Sequence, residues 1–66
     1  MIGRPQYLPD DFTSWWEVRL SHDPDGMTYE VVRAPAGHRY ARFVMEADAD
    51  AFARAKNEVL MAGGAN

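Results

Sequence analysis

The tetrapeptide Asp23-Pro24-Asp25-Gly26 constrains the fold of this chain more than any other feature. Proline presets φ for a tight turn, and glycine takes the left-handed position that follows. The segments on either side read as strands, so the turn implies an antiparallel hairpin. Over Thr13–Leu20, Trp16, Val18 and Leu20 fall on one face, and Trp15, Glu17 and Arg19 on the other. Met27–Ala34 has a β-rich centre, Tyr29-Glu30-Val31-Val32, that is apolar on both faces, with Met27, Tyr29 and Val31 the favoured inward set.

A second turn, Pro35-Ala36-Gly37, leads into a third strand, His38–Met45. Its alternation places Ala41, Phe43 and Met45 on one face and His38, Tyr40, Arg42 and Val44 on the other. A helix follows over 48–62. Asp48 is the expected N-cap, Asp50 suits the first-turn dipole, and Gly63-Gly64 is the stop. At helical spacing Ala49, Phe52, Ala53, Ala55, Val59 and Leu60 form a stripe. That stripe should pack on the sheet face bearing Trp16, Val18, Leu20, Ala41 and Phe43, because two layers can then share one core. Lys56 projects into the stripe. Its expected course is along the sheet edge with the amine in water; a buried amine of lowered pKa is the alternative.

The expected fold is therefore α+β: a three-stranded antiparallel meander packed on one C-terminal helix. Residues 1–66 form a single domain, with an extended arm at 1–11, the sheet at 13–45 and the helix at 48–62. Tyr7 and Leu8 are the anchors of the Pro-containing arm. A chain of 66 residues buries only about 60% of its unfolded surface. It has no cysteine and only two histidines, His22 and His38, so a hydrophobic core or a partner chain must supply its stability. The 47% hydrophobic content is enough for such a core.

Catalysis finds no convergent set of groups. A nucleophile needs a base within reach and a third group to orient it. Ser21-His22-Asp23 holds triad residue types only as neighbours, and reads as part of the first turn. Asp23-x-Asp25-Gly26 lacks the later ligands of a calcium loop. The histidines have no companions for zinc, and no glycine loop precedes a helix to cradle phosphate. The expectation is a non-enzyme without metal or cofactor. No apolar run approaches the roughly 20 residues of a membrane span, and the N-terminal stretch lacks the apolar segment of a secretory signal. A cytoplasmic location is expected, in keeping with the missing cysteines.

Net charge is −3, and its layout carries more information than its size. Asp23, Asp25 and Glu30 form one acidic cluster, and Glu46, Asp48 and Asp50 another. Between them lies a basic block, Arg33, Arg39 and Arg42. Glu46, Asp48 and Asp50 serve a helix N-terminus whatever else they do. On the outer sheet face Trp15, Tyr40 and Val44 are expected to form an apolar patch, either covered by the arm or used as an interface.

The succession Trp16-Glu17-Val18-Arg19, Asp23-Pro24-Asp25-Gly26, Phe43 and Ala47-Asp48-Ala49-Asp50-Ala51-Phe52 resembles two groups. One is the βββα arm-type DNA-binding domain of phage tyrosine-recombinase integrases. The other is a set of small phage and mobile-element proteins that includes anti-CRISPR inhibitors. The second resemblance implies an acidic, DNA-mimicking phage inhibitor, acting in the host cytoplasm on the basic nucleic-acid channel of a CRISPR interference complex. Asp23, Asp25, Glu30, Glu46, Asp48 and Asp50 would face that surface, with Trp15 and Tyr40 as apolar anchors. The first resemblance implies double-stranded DNA read by the sheet through Arg19, Arg33, Arg39 and Arg42. Glu17 and Glu30 on the sheet depart from that pattern. A third reading is a structural homodimer joined through outer faces or a strand edge.

Overall fold

A computed structural model describes residues 5–63. The element order is β1 (Trp15–Asp23), β2 (Gly26–Ala34), β3 (His38–Phe43) and α1 (Glu46–Ala62). The strands form one antiparallel sheet in the order β1-β2-β3, so the fold is the α+β, βββα arrangement. Gly64 and the first four residues of the arm lie outside the described residues.

The first turn is tighter than the sequence suggests. Asp23 pairs with Gly26, which leaves only Pro24 and Asp25 in the loop. Ser21-His22-Asp23 is therefore strand, not turn: Ser21 pairs with Thr28 and His22 with Met27. Neither loop residue has a positive φ; Gly26, the first residue after the loop, takes φ 136°, a backbone conformation that favours glycine. In the second turn Gly37 takes φ 88°, and its N–H donates to the Arg33 carbonyl at 2.8 Å.

The helix-facing side of the sheet carries Trp16, Val18, Tyr29, Val31, Ala41 and Phe43, which pack with Ala49, Phe52 and Ala53 of α1. Met27 belongs to the same face by alternation but lies beyond the helix and is 53% exposed. The register breaks between Val31 and Val32. Val31 pairs with Ala41 and Val32 with Arg39, so Tyr40 is an extra residue with no partner opposite. This bulge overturns the outward placement of Tyr40. Its ring lies 4.9 Å from that of Trp16, nearly perpendicular, and 6.0 Å from that of Phe52, on the helix side. An added residue inverts the alternation locally, and strict period-two reading cannot anticipate it.

The helix begins at Glu46, two residues before the expected start. Met45 holds the N-cap position with extended backbone and no side-chain cap, and the Ala49 N–H donates to its carbonyl at 3.2 Å. Asp48 thus lies inside the first turn, where it complements the dipole without capping. At the other end the Gly63 N–H donates to the Val59 carbonyl at 2.9 Å; its φ of −84° is not left-handed. None of the helices among the described residues is long and apolar enough to cross a membrane.

The buried line of α1 is Ala49, Ala53 and Asn57. It is rotated from the expected stripe, leaving Ala55 and Val59 exposed. Asn57 is fully buried. Its Oδ1 accepts from the Trp16 N–H at 2.9 Å, and its Nδ2 donates to the Trp16 carbonyl at 2.8 Å. The second Nδ2 bond goes to the Tyr7 hydroxyl at 3.1 Å. In an antiparallel pair the N–H and C=O of one residue point the same way, so both Trp16 groups face away from β2. Asn57 takes the place of the missing neighbour strand at that point, and ties helix, edge strand and arm together.

The arm is turned rather than extended: the Leu8 N–H donates to the Pro5 carbonyl and the Phe12 N–H to the Pro9 carbonyl. Leu8 is buried, and Arg54 lies 4.6 Å over the Tyr7 ring. Replacing Asn57 by Leu keeps the volume but strips partners from two backbone groups at a buried edge, each costing about 1–3 kcal/mol. Asn57→Leu is expected to lower unfolding stability by about 2–4 kcal/mol in urea titration; a change below about 0.5 kcal/mol, typical of inert surface substitutions, would show that the bonds carry little.

Candidate interaction surfaces

Topology brings part of each acidic cluster to one end. β1 runs toward the Pro24–Asp25 loop, β2 runs away, and β3 returns to the same end, where α1 begins. Asp23 at the tip of β1, Asp25 of the loop, and Glu46 and Asp48 of the first helical turn therefore share one end of the sheet. β3 stops at Phe43, opposite Tyr29, so the hairpin projects beyond it. A groove there, lined by Asp23, Asp25, Met27, Thr28, Arg42 and Val44, has a volume of 440 Å³. Met27, Val44 and Met45 are 53%, 76% and 60% exposed. Three large apolar side chains beside four carboxylates make this end unlike the rest of the surface.

The remaining proposed partner-binding residues lie elsewhere. Asp50 lines a second groove of 380 Å³ between arm, β1 and α1, with Tyr7, Trp16, Val18 and Arg54. Glu30 is on the outer face, paired with Arg39 at 3.2 Å and Arg42 at 3.7 Å. Trp15 is on the outer face too, but its Nε1 donates to Glu17 at 2.8 Å. The expected Trp15–Tyr40–Val44 patch does not form, because the bulge takes Tyr40 to the other side of the sheet.

The outer face covers itself with ion pairs. Arg19 Nε donates to Glu17 at 2.7 Å, and Glu17 is buried. The Arg19 guanidinium passes so close to Gly37 that a Cβ there would lie 2.8 Å from it. Arg42 reaches both Glu30 and Asp23 at 3.7 Å. Val32, opposite Glu17 and Arg39, is buried within this lattice. Arg19, Arg39 and Arg42, proposed to read DNA, are thus neutralised by carboxylates of their own sheet. Arg33 stands apart on the helix side, bonded through Nε and Nη2 to Ser14 Oγ and 4.9 Å over the Trp16 ring.

Strand pairing between copies also meets obstacles. The β1 edge is engaged by Asn57 and flanked by the arm; β3 is short and bulged. Among the described residues no group of three His, Asp or Glu side chains could hold a metal ion. Sequence reasoning passed over Met27 and Met45 as surface features, since both fit an inward strand pattern; their exposure follows from where the helix starts.

Comparison with known proteins gives no match: no protein-family model, curated protein or solved structure is similar to this chain.

The ion-pair lattice has a direct consequence for double-stranded DNA. A reader that neutralises phosphates loses affinity steeply with salt, by a slope of about −0.9 per contact. The lattice leaves few arginines for such contacts, so titration with labelled duplex at roughly 50 mM and 200 mM salt is expected to show no saturable binding at either. Tight binding at the lower salt that Arg42→Ala weakens would establish the opposite.

Proposed function

We propose that this chain is a non-catalytic protein-binding module that presents the acidic, methionine-bearing end of its hairpin and helix to a basic partner surface. The observation that carries this reading is the groove lined by Asp23, Asp25 and exposed Met27 and Val44, at the end of the sheet where exposed Met45 leads into α1 with Glu46 and Asp48 in its first turn. Apolar anchors supply contact area, methionine adapts to irregular surfaces, and surrounding carboxylates steer association and set orientation. A basic nucleic-acid-binding surface has the complementary chemistry, and the channel of a CRISPR interference complex is the concrete case. Acting there, the module would be an inhibitor that excludes nucleic acid by occupying its site.

Asp25 and Asp48 are the residues to reverse, since both are exposed and neither lies in the outer lattice. Purified interference complexes should bind the labelled chain with an affinity that falls as salt rises. Asp25→Lys with Asp48→Lys should weaken that binding by about tenfold or more while the fold persists, as expected for charges that steer association. A folded double variant that binds as tightly as the parent removes the acidic end from the mechanism.

A further inference from the structure

A different pair of side chains points to a second site at the opposite end of the sheet. Among the described residues Arg19, Arg39, Arg42 and Arg54 each lie within 4 Å of a carboxylate. Arg33 and Lys56 have no such partner, and both lie against the same indole: the Arg33 guanidinium is 4.9 Å from the Trp16 ring and the Lys56 ammonium 5.1 Å. Lys56 is also 5.0 Å from the Tyr40 ring, so its ammonium lies against both rings of the Trp16–Tyr40 pair. Lys56 is half-buried, and its ammonium is held against these two rings.

Tyr40 reaches that position only through the bulge in β3. Bulges re-aim side chains and gather near functional sites. If core packing were the gain, the ring would be buried; instead Tyr40 is 58% exposed. The cluster thus combines two cations lacking carboxylates, a half-buried indole and an accessible phenol ring. We infer that Trp16, Tyr40, Lys56 and Arg33 form a binding site for an unpaired nucleotide, with the base stacked on Tyr40 and the phosphate held by Lys56 and Arg33. A carboxylate or bare phosphate would use the cations and leave the ring idle. A base-paired duplex would offer phosphates but no accessible base face. An unpaired nucleotide satisfies both halves of the site.

The acidic end does not cancel this site. Trp16 and Asp23 are seven residues apart along β1, roughly 23 Å at strand rise, which exceeds two Debye lengths at ordinary ionic strength. The inference does not depend on the proposed function, which uses other residues.

The test is to titrate the full chain at about 0.1 M salt, where the acidic end is screened, with AMP, single-stranded oligothymidylate, inorganic phosphate and duplex DNA, following the indole N–H resonances by NMR. AMP or oligothymidylate should saturate and move the Trp16 resonance but not that of Trp15. A tighter complex with the oligonucleotide identifies a strand as the source of the nucleotide; equal affinities identify the free nucleotide, and both support the site. Tyr40→Ala should weaken binding about 5- to 150-fold, the range for losing one stacked base. Should that variant unfold, Tyr40→Leu keeps bulk while removing the flat ring. Lys56→Gln should weaken binding and Lys56→Arg restore it. The inference is overturned if neither nucleotide ligand saturates at millimolar concentration. It is also overturned if folded Lys56→Gln binds like the parent, or if phosphate or duplex binds as well as AMP and the single strand.

Discussion

Everything in this small fold is referred to one buried amide. A three-stranded sheet has two edges, and a single helix lying across it cannot hydrogen-bond to either through its own backbone. Asn57 solves the problem at β1: its carbonyl accepts from, and its amide donates to, the two outward groups of Trp16. The same amide holds Tyr7, and through it the arm. The bonds fix the helix along and across the sheet, setting which residues of α1 meet the core. Ala53 and Ala49 lie one and two turns back on the same line, small enough to let the helix approach Val18 and Val31 closely. A chain of this size has little hydrophobic surplus, so a specific polar tie that leaves no buried group unsatisfied has a large influence on uniqueness.

That tie also organises the surfaces. With Asn57 seated at Trp16, Lys56 beside it is carried over the indole, where Tyr40 meets it from β3. Toward the other end, the chain passes from β3 into α1 at the end of the sheet that carries the hairpin loop, so Glu46 and Asp48 share that end with Asp23 and Asp25. Between these ends the outer face is closed by Glu17, Arg19, Glu30, Arg39 and Arg42 acting on one another. A chain with a net charge of −3 thus separates its charge: carboxylates and methionines at one end, cations and aromatics at the other, and a neutralised lattice between. Partner binding is assigned to the first end for its exposed carboxylates and apolar side chains, and nucleotide binding to the second for two cations without carboxylate partners beside an accessible aromatic ring.

The legible parts of the fold were those set by neighbours in sequence. Proline and glycine at 24 and 26, the alternation around Val18 and Val31, and the helical run after Met45 each act over a few residues, so the meander, the helix and the packed face of the sheet could be read directly. What escaped depends on register. The bulge at Tyr40 shifts one residue between strands and has no local signature. The pairing of Arg39 and Arg42 with Glu30 exists only once β2 and β3 are aligned. Asn57 was hidden by the habit of counting apolar residues: a stripe of Ala49 and Ala53 continues by four to Asn57, but a polar residue there reads as a gap. The signal available was a short polar amide on the line of two alanines, opposite a sheet that must have an unpartnered edge. For the candidate site, Asp23, Asp25, Glu46 and Asp48 were named from charge alone, whereas Asp50, Glu30, Trp15 and Tyr40, named for the same surface, lie elsewhere, Glu30 and Tyr40 because register decides what they meet.

Native-state hydrogen exchange at the Trp16 amide tests the central role of Asn57 most directly. Trp16 and Leu20 occupy the same phase of β1, so both amides point away from β2. If Asn57 closes the edge, the Trp16 amide should exchange only through global unfolding, with protection equal to that of Val31 in the central strand, while the Leu20 amide exchanges through local opening. A Trp16 amide that exchanges as readily as Leu20 would contradict the account, because the helix would then rest on the sheet without being tied to it.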